Sequence, residues 1–217
     1  MPEIHGNVDG IRNSMLEDMQ LMYDFPIERD EFLPAELART LASFSHQMKR
    51  EISIYISRGG EVLDITIGSD TQVPLKEFRL RRSEQRLSRV RCIHTHPGGS
   101  AELSDVDLTA LRALWLDAIA SIGIDQQGNI IGVSAAFLGE KVNGMPQVRL
   151  HPVVSLSRLP DKRWMEEINR SEELVLQGED MLEDPVEKAL LVGIESDESL
   201  DELAALCESA GGEVVGR

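Results

Sequence analysis

Cys92-Ile93-His94-Thr95-His96-Pro97-Gly98-Gly99-Ser100-Ala101-Glu102-Leu103-Ser104-Asp105-Val106-Asp107 decides how this chain is read. The run leading into it, Val90-Arg91-Cys92-Ile93, is short, partly apolar and strand-like. Beyond it, Leu108, Leu111, Trp115, Ala118, Ile119 and Ile122 recur at helical spacing, with Gly123 as terminator. A strand end, a Pro-Gly-Gly turn and a helix start therefore follow one another. In extended chain, residues two apart point the same way, so His94 and His96 face one point. Asp107 falls in the first turn of the next helix, from which its side chain is aimed back at the strand end. Two imidazole nitrogens and one carboxylate oxygen make a three-ligand zinc site with an open fourth position, as in catalytic zinc centres.

Each of these residues has a plainer reading. A His-x-His pair occurs by chance on surface strands. Ser104 and Asp107 fit an N-cap with its acidic partner three residues on, a role that one serine combines with others. Glu51, opening the run Glu51-Ile52-Ser53-Ile54-Tyr55-Ile56, fits an ordinary exposed strand residue.

Outward from the motif, strands and helices alternate irregularly. A helix is expected over Asn7–Tyr23, with Ile11, Met15, Leu16, Met19 and Met22 as its apolar stripe, and a second from Leu33-Pro34 through Met48. Glu51–Ser57 and Glu61–Gly68 read as a hairpin across Arg58-Gly59-Gly60, and Ser69–Ser88 as an irregular loop. Ile130–Leu138 and Val148–Leu156 read as strands about an Asn143-Gly144 turn. A helix over Pro160–Gln177, with Trp164, Ile168 and Leu174 as its apolar contacts, closes the unit. This order predicts an α/β class: a mixed sheet covered by helices.

Composition narrows the class further. With 41% hydrophobic and 28% charged residues in 217, the chain buries a real core and is not a disordered polymer. It contains no apolar run of transmembrane length, and its start lacks the basic-then-apolar signature of a signal peptide. A cytoplasmic protein, with Cys92 and Cys207 as thiols, is therefore expected. The net charge is −16, and residues 161–217 hold 17 acids and 5 bases, or −12 of it. That balance argues against non-specific nucleic-acid binding by the whole chain. Against the trend, Arg79, Arg81, Arg82, Arg86, Arg89 and Arg91 crowd ahead of the motif. They read as a solvated, salt-bridged face, or as an anion or RNA contact beside the site.

His94-Thr95-His96-Pro97 followed by Ser104-x-x-Asp107 resembles the JAMM (MPN) metalloprotease signature without insertion or gap. The family also uses a glutamate on an earlier strand, matched here by Glu51; the Arg50-Glu51 pair is like that of RadC-type members. The resemblance implies a cytidine-deaminase-like sheet. It implies Zn²⁺ on His94, His96 and Asp107, with Glu51 as general base, Ser104 as oxyanion stabiliser, and a peptide or protein substrate.

The C-terminal residues are similar to something else. Residues 179–185 read as a linker between a domain over 1–178 and a segment over 186–217. In that segment a strand (Ala189–Ile194), a helix (Leu200–Ser209, capped by Ser199) and a strand start (Glu213-Val214-Val215) follow in order. Glu187–Gly193, Ser199–Ala204 and Ala210–Gly216 resemble the start of HflX-type GTPases, some of which carry an extra N-terminal JAMM-like domain. On this reading the second domain is cut short. The phosphate-binding pattern Gly-x-x-x-x-Gly-Lys-[Ser/Thr] is absent, so no nucleotide is expected on this chain. Two functions stay open: a zinc metallopeptidase or isopeptidase, and a non-catalytic regulatory module that contacts the ribosome or RNA through the full-length GTPase.

Overall fold

Two apolar runs flank Arg58-Gly59-Gly60, and in the computed structural model of the protein they pair as the antiparallel hairpin from which the main sheet grows. The structure describes residues 3–68, 87–177, 188–192, 197–209 and 213–216. The chain divides into two compact units, Met1–Gly178 and Glu179–Arg217. In the first unit the order is β1 (His5–Gly6), α1 (Asn13–Gln20), a 3-10 turn (Leu21–Asp24), α2 (Ala35–Met48), β2 (Ile52–Ser57) and β3 (Val62–Ile67). There follow β4 (Val90–His96), α3 (Asp105–Ala113), β5 (Ala118–Ile124), β6 (Ile130–Val142), β7 (Met145–Val154), a 3-10 turn (Leu156–Arg158) and α4 (Asp161–Gln177).

The seven strands form one mixed sheet in the order β1-β3-β2-β4-β5-β6-β7. β4 and β5 are parallel, as are β1 and β3; the other neighbours are antiparallel. The protein is thus an α/β protein with a mixed sheet and helices packed on it. Strand alternation divides the core. Ile52, Ile54, Ile56, Ile93, Ala120 and Ile122 pack with Met19, Leu37, Leu41, Trp164 and Ile168 on the α1/α2/α4 side. Tyr55, Cys92, Ile119 and Ala136 pack with Leu111 and Leu116 on the α3 side. Full burial of each large apolar side chain is worth roughly 1.5–3 kcal/mol, so the larger first cluster dominates stability.

Several local expectations are corrected. The motif helix does not run to Ile122: α3 stops at Ala113, Trp115 turns the chain at φ 50°, and 118–124 form β5. Ala118-Ile119-Ala120-Ser121-Ile122-Gly123-Ile124 is buried along its whole length as a central strand. A two-sided strand of this kind has no period of its own to betray it. Gly123 is therefore a strand residue and not a helix terminator. At the N-terminus no helix starts at Asn7. The Asn7 N–H donates to the Ile67 carbonyl at 2.8 Å, and the Arg50 guanidinium grips the Asn7 and Asp9 carbonyls at 2.7 and 2.9 Å. Those contacts extend the β1–β3 edge and delay α1 to Asn13. On α4, Val175 is the fully buried apolar residue near the C-terminal end, while Leu174 is only partly covered.

In the second unit, β8 (Lys188–Leu190) and β9 (Glu213–Gly216) pair in parallel, and α5 (Asp197–Ser209) lies between them in the chain. Because α5 starts at Asp197, Ser199 lies within the helix and is not its cap. The expected linker over 179–185 lies outside the described residues, as do Arg79, Arg81, Arg82, Arg86 and most of the Ser69–Ser88 loop. Among the described residues, no helix is long and apolar enough to cross a membrane.

Candidate metal centre

β4, α3 and β5 form a strand–helix–strand unit with parallel strands, and the motif occupies the carboxyl end of its first strand. Ligand sites in α/β sheets favour that location. β4 stays extended through His96, so Cys92, His94 and His96 all face α3. The two imidazole Nε2 atoms are 2.8 Å apart. From the first turn of α3, Asp107 Oδ1 lies 3.3 Å from His94 Nε2, and Oδ2 lies 3.8 Å from His96 Nε2. One ligand atom from each of the three residues falls within 4.8 Å of the others.

Local chemistry fixes each group. Ser104 caps α3 in a capping box: its hydroxyl accepts from the Asp107 N–H at 3.3 Å, while its own N–H donates to Asp107 Oδ2 at 2.7 Å. The Ser104 hydroxyl also lies 2.7 Å from that oxygen and donates to it. Oδ2 is thereby occupied, leaving Oδ1 directed at the histidines. His96 Nδ1 lies 3.2 Å from the Ser100 carbonyl and donates to it, which leaves the lone pair of the neutral ring on Nε2, the atom beside His94 Nε2.

The electrostatics agree with this donor set. Burial, with His94 close by, pushes His96 down to about 4, despite the opposing pull of Asp107. For Asp107, burial favours the neutral acid, but hydrogen bonds from His94 and Ser104 outweigh it and hold the carboxyl well below its usual range. At neutral pH the centre therefore presents a neutral His96 imidazole and a carboxylate, as a divalent cation requires. Burial pushes the Cys92 thiol up, against a hydrogen bond with Tyr55, so without a metal it stays protonated at neutral pH. Ser53 pairs across the ladder with His94, and its buried hydroxyl has no hydrogen-bond partner among the described residues. An orphaned hydroxyl beside the histidines is what a site built for a polar guest would leave.

Glu51 immediately precedes β2. Its carbonyl accepts from the Gly68 N–H at 2.9 Å, continuing the β2–β3 ladder, and the residue is buried. Alternation sets it on the same side as Ser53 and Tyr55, the α3 side, one ladder step beyond the Ser53–His94 pair. It is thus not the exposed strand residue of the plainer reading.

Three features of the site were not anticipated. Ser121 on β5 and Ser134 on β6, paired in register, both donate to the Ala101 carbonyl at 2.6 Å and pin the loop between β4 and α3. Gly123 admits that loop: a Cβ there would lie 2.6 Å from the Ala101 nitrogen. Thr95 and Ser45 form a buried hydroxyl pair on the other side of β4. The arginine run also reads differently where it is described. Arg91 is buried over the Phe32 ring, donating to the carbonyls of Phe32, Ser57 and Glu31 at 3.0, 3.0 and 3.1 Å. Burial lowers it to about 10 against the pull of Asp117, Asp161 and Glu31. It is a fold-holding residue, neither a surface charge nor an anion contact. No protein-family model and no curated protein matches this chain.

Proposed function

We propose that residues 1–178 form a zinc-dependent hydrolase of the JAMM type, cleaving a peptide or isopeptide bond. The observation that carries this reading is the convergence of His94 Nε2, His96 Nε2 and Asp107 Oδ1, with the second Asp107 oxygen occupied by the Ser104 cap. A zinc ion held by these three residues supplies Lewis acidity toward a carbonyl and toward water. Glu51, on the histidine side of the sheet, takes the proton of the attacking water and delivers it to the leaving amine. Ser104 orients Asp107 and, once its hydroxyl swings off Oδ2, donates to the developing oxyanion.

A second reading, a non-catalytic regulatory module, is favoured by one observation: the Ser104 hydroxyl is already committed to Asp107 at 2.7 Å. On either reading we take the protein to be cytoplasmic. We read the second unit as the start of an HflX-like GTPase domain, with any ribosome contact made through the full-length GTPase.

Zinc-loaded protein assayed against peptide and isopeptide libraries separates the two. Cleavage that falls by about 10²–10⁴ in Glu51→Gln, with zinc affinity retained, is expected for the hydrolase. Stoichiometric zinc with no cleavage of any library would leave only the module. Cleavage undiminished in Glu51→Gln would remove Glu51 as the base.

A further inference from the structure

We propose that Thr95 and Ser45 are positioning residues that lock the backbone on both sides of Glu51, and so set the direction in which its side chain leaves the chain. The inference rests on Glu51 acting as the base. Thr95 lies between the two histidines but points to the opposite side of β4, where it and Ser45 of α2 are fully buried in an otherwise apolar cluster. Two hydroxyls in such surroundings are tolerated only when paired. Here the pairing runs through the segment that carries Glu51. The Thr95 hydroxyl accepts from the Ile52 N–H at 2.9 Å and donates to Ser45 Oγ at 2.8 Å. Ser45 in turn donates to the Arg50 carbonyl at 2.7 Å.

The geometry of the peptide unit gives this relay its force. The Arg50 carbonyl belongs to the peptide plane before the Glu51 Cα, and the Ile52 N–H to the plane after it. Gly68 also holds the second plane, donating to the Glu51 carbonyl at 2.9 Å. With both planes pinned, φ and ψ of Glu51 are fixed and its Cα–Cβ bond has one direction. Lys49, in left-handed conformation at φ 51°, and the Arg50 N–H to Ser45 carbonyl bond at 3.3 Å complete the tight passage from α2 into β2. One residue of the ligand strand thus couples the register of the metal ligands to the placement of a base from another strand.

The test uses Thr95→Val, which keeps shape and removes the hydroxyl, Thr95→Ser, which keeps the hydroxyl, and Ser45→Ala, each with and without Glu51→Gln. In Thr95→Val the Ile52 amide is expected to exchange roughly tenfold faster, with wild-type exchange in Thr95→Ser. Zinc affinity and KM should stay unchanged while kcat falls on the order of 10²-fold, as for a small misplacement of a reacting group, and Thr95→Ser should recover it. In the Glu51→Gln background, Thr95→Val and Ser45→Ala should cost nothing further. Unchanged Ile52 exchange in Thr95→Val overturns the proposal. So does a kcat loss of equal size with and without Glu51, or one that tracks lost zinc. If zinc-loaded wild type cleaves nothing, the hydrolase reading fails separately, and the lock is decided by Ile52 exchange alone.

Discussion

On β4, the side chains of Cys92, His94 and His96 meet α3, while those of Arg91, Ile93 and Thr95 meet α2 and the segment before it. The first set gathers groups that a cation would need: neutral imidazole, an aspartate held by its helix cap, and an orphaned serine hydroxyl on the neighbouring strand. The second set has every described polar group satisfied by backbone or by another buried hydroxyl, and it adjoins the larger apolar cluster. One strand therefore gathers candidate metal ligands on one side and buried architecture on the other. Strand alternation alone keeps the two apart. Changes on the α3 side should strike metal binding, and changes on the α2 side should spare it.

The sharpest way to break that division is His96→Ala. Zinc binding, followed by competition with a chromophoric chelator, should disappear while the thermal transition of the metal-free protein is retained. Zinc bound with wild-type affinity would mean that the α3 side is not a metal face. Gly123→Ala should act next most strongly, since its Cβ would meet the backbone of Ala101 at 2.6 Å. Forced overpacking of this kind costs typically 1–3 kcal/mol, measurable by urea unfolding, and the displaced loop should weaken zinc binding too. Ser104→Ala should be milder in stability, at about 1 kcal/mol for a lost N-cap. Its zinc affinity should nevertheless fall by roughly 10–100-fold, because Asp107 Oδ2 keeps the Ser104 N–H but loses the hydroxyl that helps orient it. A normal zinc affinity in Ser104→Ala would reduce the capping box to a helix device with no part in the centre.

The clustering of His94, His96 and Asp107 was legible because the stretch is nearly contiguous. Alternation over His94-Thr95-His96 and the Ser104/Asp107 capping spacing are local rules, and the mixed α/β class followed from the order of strand and helix patterns. Glu51 could be nominated only by resemblance, since its side of the sheet depends on the register that sets Ser53 opposite His94. β5 was misread because an apolar strand buried on both sides satisfies helical spacing by accident. The two serines over Ala101 and the Thr95–Ser45 pair belong to separate stretches that only the sheet order and helix packing bring together. Arg91 sat inside a run of arginines, and charge counting cannot tell a buried guanidinium feeding carbonyls from a solvated one. The one available hint was its place in the Val90-Arg91-Cys92-Ile93 strand.

X-ray absorption at the zinc edge on protein loaded with one equivalent of zinc tests the centre most directly. Only nitrogen and oxygen neighbours at about 2.0–2.2 Å, with the multiple scattering of two imidazoles, are expected. A sulfur neighbour at about 2.3 Å, which would place Cys92 among the ligands, or a spectrum unchanged in His94→Ala, would contradict a centre built from His94, His96 and Asp107.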